Sequence, residues 1–265
     1  MIARRLRLVR TLLGTAAAEM AEYRVSVLVW ILTGTAPLIM MMIWMGLAEA
    51  GPMGGYSATD FAAYFLIVFL VRQVTVAWVY EELDREIRLG EMSPRLLRPF
   101  DPYWMFAAQH LTVAGMHLTI ALPVALLGFA VTGAILPLRP DNLAFFAVAV
   151  AGAWVIRFNM LYCVGLLAFW TDQAAALGNL IFTLYIVLGG ALVPLDLFPA
   201  PVQQILAFLP FAYILNFPVQ ILLGNLPGPA LLQGFVVQIL WILLFIGLRQ
   251  LLWRRGLRQY AAVGA

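Results

Sequence analysis

Long uncharged apolar runs, separated by short clusters of charge and proline, make up most of the chain. Residues 25–48 hold no charge over 24 positions, enough for one crossing, since about 20 apolar residues span about 30 Å of hydrocarbon. Pro37 predicts a kink within that helix. After the glycine-rich loop at 51–55, Ser57 and Asp60 have capping-box spacing and predict the start of a second span over 61–80, which carries a single charge, Arg72. Asp101 and Pro102 read as cap and first residue of a third span over about 105–131, inside an uncharged stretch from Pro102 to Leu138. Asp141 is expected to cap a fourth span that reaches about Trp170 and is interrupted by Arg157. The short turn at 171–173 then sends the chain back as an antiparallel fifth span over about 174–193.

From Leu197 to Leu248 the chain runs 52 residues without a charge, far more than one crossing needs. Pro199, Pro201, Pro210, Pro218, Pro227 and Pro229 punctuate this stretch, and proline at that density breaks helices. Residues 195–228 therefore read as short re-entrant helices that dip into the outer leaflet and return, with a sixth span following over about 230–250. Non-helical backbone at that depth has to be shielded by protein or face a wet cavity. Short, loosely tied helices at an outer mouth suit a gate, which would involve Pro194, Phe198, Pro199, Pro210, Phe211 and Pro218; a static plug is the alternative.

The arginines set the topology. Five precede the first span, four lie between spans 2 and 3, and four follow the last, against Arg139 alone on the other side. The positive-inside rule then places both termini in the cytoplasm and requires an even number of spans. Six satisfies both conditions. Residues 1–24 carry an apolar stripe of Ile2, Leu6, Val9, Leu13, Ala16 and Met20 with Arg4 and Arg7 opposite, the pattern of an amphipathic helix lying on the inner leaflet. The expected fold class is thus all-α integral membrane, with six transmembrane helices, an N-terminal interfacial helix and re-entrant outer helices between spans 5 and 6. All belong to one membrane-embedded unit over 1–265.

Composition narrows the function classes. The chain is 64% hydrophobic and 11% charged, where soluble domains carry about 25% charged residues. All 16 basic residues are Arg, so a phosphate-loop lysine, a Schiff-base lysine and a lysine base are excluded. Cys163 stands alone, which excludes an intrachain disulfide. No metal-ligand cluster, no catalytic grouping and no feature of a nucleic-acid binder stands out. His110 and His117, seven residues apart on one helix face, are separated by about 10.5 Å and read as buried structural histidines.

Two groups of residues remain as candidates. Residues 81–101 hold ten of the 29 formal charges, six of them acidic, and acids contribute nothing to topology, so the loop reads as a docking surface for a cytoplasmic partner. Gly90 has the look of a helix-ending residue, and Ser93-Pro94 of a helix start. The second group is intramembrane. Arg72 and Arg157, with Gln73, Asn159 and Asn179 on or near them, mark either a polar seam facing cargo or a subunit, or interhelical glue, because a central Arg costs about 2.5–3.5 kcal/mol and needs interior partners. Arg157 is expected to be held by polar groups such as Asn159 or by an acceptor from another chain.

Three segments together resemble one family: DREIRLGEMSPRLLRPFDPYW (84–104), GGALVPLDLFPAPVQQILAFLPFAYILNFPVQILLGNL (189–226) and LLWRRGLRQYAAVGA (251–265). They are similar to segments of bacterial ABC type-2 exporter permeases, in the branch related to drug and viologen efflux permeases. The resemblance implies a bacterial inner-membrane location and a coupling helix within 81–104, with Glu82, Arg85, Glu86, Arg88, Gly90, Glu91 and Arg95 at the ATPase contact. It further implies two separate ATP-binding-cassette ATPase subunits that hold ATP and Mg, and a second six-span permease, more in keeping with a heterodimer than a homodimer. This chain itself would bind no cofactor. A non-transporting membrane scaffold for a cytoplasmic partner is the other reading, and no cargo motif is present.

Overall fold

The computed structural model describes residues 34–260, which are helical apart from their connections and one isolated bridge between Met53 and Tyr56. The interfacial helix expected over 1–24, and the first part of the span expected at 25–48, lie outside the described residues. Helix α1 (Ala36–Ala48) has Pro37 in its first turn, where the missing N–H forfeits no hydrogen bond. The proline therefore starts the described helix instead of kinking it. The capping box forms as expected: Asp60 N donates to Ser57 Oγ and Ser57 N donates to Asp60 Oδ2, opening α2 (Ala58–Val74).

The second span does not run unbroken to Tyr80. Helix α2 stops at Val74, residues 75–78 are not helical, and α3 (Val79–Arg88) resumes beyond them. Gly90 takes the left-handed conformation (φ 74°) that ends α3. The short α4 (Ser93–Leu96) follows with Met92 at its cap, one residue before the expected Ser93. Asp101 caps α5 (Pro102–Thr132) by accepting from Tyr103 N at 2.9 Å. In α6 (Pro140–Leu166) Arg139 is the cap and Asp141 falls in the first turn, where its charge favours the helix dipole. A 3₁₀ turn (Leu167–Phe169) and a sharp reversal lead into α7 (Ala174–Leu188).

The proline-rich stretch is divided as the sequence suggests. A 3₁₀ turn (Leu195–Leu197) is followed by α8 (Ala200–Leu206), α9 (Pro210–Ile214) and α10 (Asn216–Leu223), and then by the long α11 (Gly228–Gly256). The longest of the three short helices has eight residues, about 12 Å, and falls well short of a bilayer. Among the described residues, four helical stretches are long and apolar enough to cross a membrane: Ala58–Arg88 taken across its break, Pro102–Thr132, Pro140–Phe169 and Gly228–Gly256. The helices α1 and α7 are shorter and equally apolar.

Burial ranks these helices. Every side chain from Phe61 to Phe69 is at most 4% exposed, so α2 is the buried centre, enclosed by α1, α5, α6 and α10. By contrast α5 and α11 leave apolar faces open at Leu126, Leu127, Leu243 and Leu244, surface that lipid or another subunit has to cover. Two glycines fix where α3 lies. A methyl group at Gly165 of α6 would sit 2.8 Å from Leu83 Cβ and 2.9 Å from Tyr80 Cα, and one at Gly178 of α7 would overlap the Tyr80 ring. Close approach of three helices depends on those missing side chains.

This packing predicts opposite signs for one substitution at two glycines. Gly178→Ala should destabilise the protein by about 1–3 kcal/mol through overpacking. At Gly247, where nothing lies within 4 Å, Ala should be neutral or stabilising by up to about 1 kcal/mol. Thermal unfolding of both variants in one detergent checks the pair, and equal effects would contradict the packing account.

Candidate functional site

Ending a helix inside a packed bundle leaves its last carbonyls without intrahelical donors. At the end of α2, Thr75 supplies both its amide (2.9 Å) and its hydroxyl (2.8 Å) to the Val71 carbonyl. Arg157, from the middle of α6, reaches the same point. Its Nη1 donates to Thr75 Oγ1 at 3.4 Å, and its guanidinium lies 4.3 Å from the centre of the Tyr185 ring. The side chain is buried. A cation here also meets the negative end of the α2 dipole. Arg72, half-buried one turn earlier, is a second positive charge within electrostatic reach of Arg157. Neither arginine has a carboxylate partner among the described residues.

The other seam residues divide around this break. Gln73 is buried, and its carbonyl accepts from His117 Nδ1 at 3.0 Å, which ties α5 to the end of α2. His110 donates through Nδ1 to its own helix at Phe106 O (3.0 Å) and lies against the Trp78 and Phe158 rings. Asn179, on the open face of α7, accepts from the Tyr80 hydroxyl at 2.9 Å, joining α7 to α3. Asn159 does not hold Arg157. Its amide donates to Val155 O within α6 at 2.8 Å, and Thr75 and Tyr185 take the role expected of it.

Beneath the break, α3 and α4 form a helical pair. Glu86 is buried and accepts from Arg95 Nη2 at 2.6 Å, while the Arg95 guanidinium lies 4.6 Å from the centre of the Phe106 ring on α5. Glu82 accepts from Trp78 Nε1 at 3.2 Å and from Gln109 Nε2 at 3.5 Å. Ser93 Oγ and Tyr260 OH, 3.2 Å apart, connect α4 to the chain beyond α11. The candidate coupling residues therefore do two jobs. Glu82, Glu86 and Arg95 bind the pair to the bundle, and Gly90 makes the turn between them. Arg85 and Glu91, a loose 3.8 Å pair, point outward, and so does Arg88, which reaches back to the buried Asp84 at 3.4 Å. Leu89 and Leu97, 59% and 88% exposed, share that outer surface. At the start of α5, Arg249 lies 3.8 Å from the Tyr103 ring centre and 3.8 Å from Asp101.

At the opposite end, residues 189–226 are held by polar groups more than by the marked prolines. Asp196 Oδ2 accepts from Tyr56 OH at 2.7 Å and from Gln220 Nε2 at 2.8 Å, and Gln203 Nε2 donates to the Asp196 carbonyl at 2.9 Å. Burial raises the Tyr56 hydroxyl well above its ordinary range, and the Asp196 carboxylate adds to the rise, so the phenol stays a donor. Asn225 donates to Gln220 Oε1 at 2.7 Å, and Tyr64 OH donates to Gly190 O at 2.8 Å from the centre of the bundle. A cavity of about 270 Å³ lies against Asp196, Gln203, Asn216 and Gln220. Pro194, Pro210, Phe211 and Pro218 are buried, Phe198 is half-buried and Pro199 is exposed.

Sequence reasoning missed Tyr185 and Asp196 as site residues. A signal existed only for Asp196, the last carboxylate in the chain.

The geometry predicts that Arg157→Leu alters transport or subunit assembly far more than expression or insertion, because the charge has no carboxylate to strand and its removal disturbs the break. Arg157→Lys, which keeps the charge but loses the planar fork, should fall in between. Transport by a Leu variant at the wild-type rate would refute the assignment.

No curated protein matches the chain. The family profile described as ABC-2 family transporter protein matches residues 31–264, which is nearly the whole length, and the chain therefore belongs to the ABC-2 family of membrane transport proteins.

Proposed function

We propose that this chain is the six-span permease subunit of an ATP-driven exporter, and that it forms the translocation pathway with a second, different permease. As an ABC-2 family member it is a multi-pass membrane transport component that works with ATP-binding-cassette subunits. The proposal adds the direction of transport, the pairing, the bacterial inner membrane and the cytoplasmic placement of both termini. It rests on the arginine asymmetry of the sequence and on the resemblance of three segments to drug and viologen efflux permeases. The observation that carries the mechanism is the α3–α4 pair. It is closed by Glu86–Arg95 at 2.6 Å, meets the bundle where Arg95 lies over the Phe106 ring of α5, and presents Arg85, Arg88 and Glu91 with two exposed leucines away from it.

In this reading two ATPase subunits dock on that outer surface. ATP binding closes them, and because their closed state fits one orientation of α3–α4 better, the permease equilibrium shifts with it. Residues 75–78 let α3 tilt without dragging α2. The tilt passes to α6 at Gly165 and to α7 through Gly178 and the Tyr80–Asn179 hydrogen bond. At the far end of α7 begins the outer segment, where Pro194, Phe198, Pro199, Pro210, Phe211 and Pro218 belong to the gate. Arg72, Gln73, Arg157 and Asn179 form the seam toward the pathway or the second permease.

Two experiments test these assignments. Arg85→Glu with Glu91→Arg, a reversal of two exposed charges, should abolish co-purification of the ATPase, or its permease-dependent turnover, and leave thermal stability unchanged. Glu86→Ala should lower stability by about 1.5–3 kcal/mol, the usual contribution of a hydrogen bond to a charged group. Undiminished turnover in the charge-reversed pair would remove the docking surface from these residues. For topology, single cysteines at Ala200 and Asn225, both exposed, in a Cys163→Ala background should react with an impermeant thiol reagent from outside the cell. Labelling of one from outside and of the other only from the cytoplasm would reveal a crossing between them and overturn the six-span arrangement.

A further inference from the structure

A groove of about 450 Å³ opens where the end of α11 meets the corner after α6. Leu167, Trp170 and Leu252 give it an apolar lining, and the exposed Arg255, Arg258 and Gln259 border it mainly through their carbon stems, with their polar ends at the rim. Its walls are held at contact distance. A methyl group on Gly256 would overlap the Phe169 ring, and that ring packs against Trp253 and Tyr260 with centroids 6.2 and 5.8 Å apart.

The charge around it is unbalanced. Arg254, Arg255 and Arg258 fall within five positions, and the chain has no acidic residue after Asp196. None of the three makes an ion pair among the described residues, and Asp172, beside the groove-lining Thr171, makes none either. Guanidinium groups beside an apolar slot, flanked by Trp170, Trp253 and Tyr260, describe a place at the membrane interface, where aromatic rings sit at head-group level. The matching molecule has an anionic head and an apolar body. The N-terminal segment is a poor occupant, since residues 1–24 carry five Arg against two Glu and repel the same arginines.

We infer that this groove binds an anionic phospholipid, with the phosphate between Arg255 and Arg258 and the upper acyl chains along Leu167, Trp170 and Leu252. Its volume is within the about 300–1,000 Å³ of ordinary ligand sites, enough for a head group and the first carbons of the chains. The lipid belongs to the leaflet on the arginine-rich side; calling that leaflet cytoplasmic rests on the orientation proposed above, but the binding itself does not. Tyr260, next in sequence to the groove-lining Gln259, touches Phe169 and Ser93 of α4, so a bound lipid braces the contact between the tail and the α3–α4 pair.

The test is native mass spectrometry of the full chain with its partner subunits, taken from bilayers of equal phosphatidylglycerol and phosphatidylcholine. The wild type should retain phosphatidylglycerol in preference. Each near-surface arginine contributes about fivefold, so Arg255→Gln with Arg258→Gln should reduce the preference on the order of twenty-five-fold. Arg255→Lys with Arg258→Lys should keep most of it, which separates lost charge from lost packing. Equal retention of the two lipids by the wild type, or an unchanged preference in the Gln pair, would overturn the assignment. So would displacement of phosphatidylglycerol by excess inorganic phosphate, which would make the groove a site for free phosphate compounds. If the preference emerged only after removal of residues 1–24, the groove would belong to that segment and the inference would fail.

Discussion

The arrangement depends on one constraint: a helix buried on all sides stops and restarts inside an apolar bundle. Thr75 and Ala77 in the break are buried and Val76 and Trp78 half-buried, and a freed backbone group that water does not reach needs a partner from the protein. Thr75 puts two donors on the Val71 carbonyl, and Arg157 comes across from α6 to donate to the Thr75 hydroxyl. A guanidinium suits this position because it offers several donors in one plane and a charge that the end of the α2 dipole favours. Its ring contact with Tyr185 extends the same stabilisation to α7. Among the described residues no carboxylate pairs with Arg157, so the bundle holds this charge without one. That is costly, and it is tolerated only where neighbouring elements fix the geometry.

Separating α2 from α3 gives the two pieces different surroundings. The α2 helix is packed from Phe61 to Phe69 and has no room to move alone, whereas α3 lies at the edge against two glycines and carries the charges that face away from the bundle. Besides packing broadly on α6 through Val79, Tyr80, Leu83 and Ile87, the α3–α4 unit reaches other helices by specific contacts: Tyr80 to Asn179 on α7, Arg95 to the Phe106 ring on α5, and Ser93 to Tyr260 beyond α11. Each joins a different helix to one small unit. A displacement of that unit is therefore felt by several helices at once, which a solvated loop between two spans would not achieve.

Local features were readable from the sequence and non-local ones were not. The capping box at Ser57, the cap at Asp101, the turn at Gly90 and the prolines that divide 195–228 all follow from residue types at fixed spacing, and the structure places each one at or within a residue or two of its expected position. The break at 75–78 left no such mark. Thr75, Val76, Ala77 and Trp78 include neither glycine nor proline, and the run reads as uninterrupted apolar helix. Arg157 stands out as an intramembrane charge, but its partner Thr75 lies 82 positions away, beyond any periodicity, whereas Asn159 stands two positions away in the same helix. Likewise the apolar and proline residues of the outer segment hid the fact that Asp196, Gln203 and Gln220 tie it together.

The two ends of the bundle are held by different chemistry, and this bears on how each responds to its surroundings. At the arginine-rich end the ties are ionic: Glu86 with Arg95, Asp84 with Arg88 and Asp101 with Arg249. Partly exposed pairs of this kind weaken as salt screens them, and they exchange readily for the charges of a docking protein or a lipid head group. At the other end one carboxylate is surrounded by neutral donors, Tyr56 and Gln220, with Gln203 and Asn225 extending the network. Those bonds are short-ranged and indifferent to ionic strength, so the outer segment keeps its shape unless something rotates the groups themselves. Any movement of residues 189–226 therefore has to arrive mechanically, through α7 and Tyr64, while under the proposed function the arginine-rich end is the one that receives a charged partner.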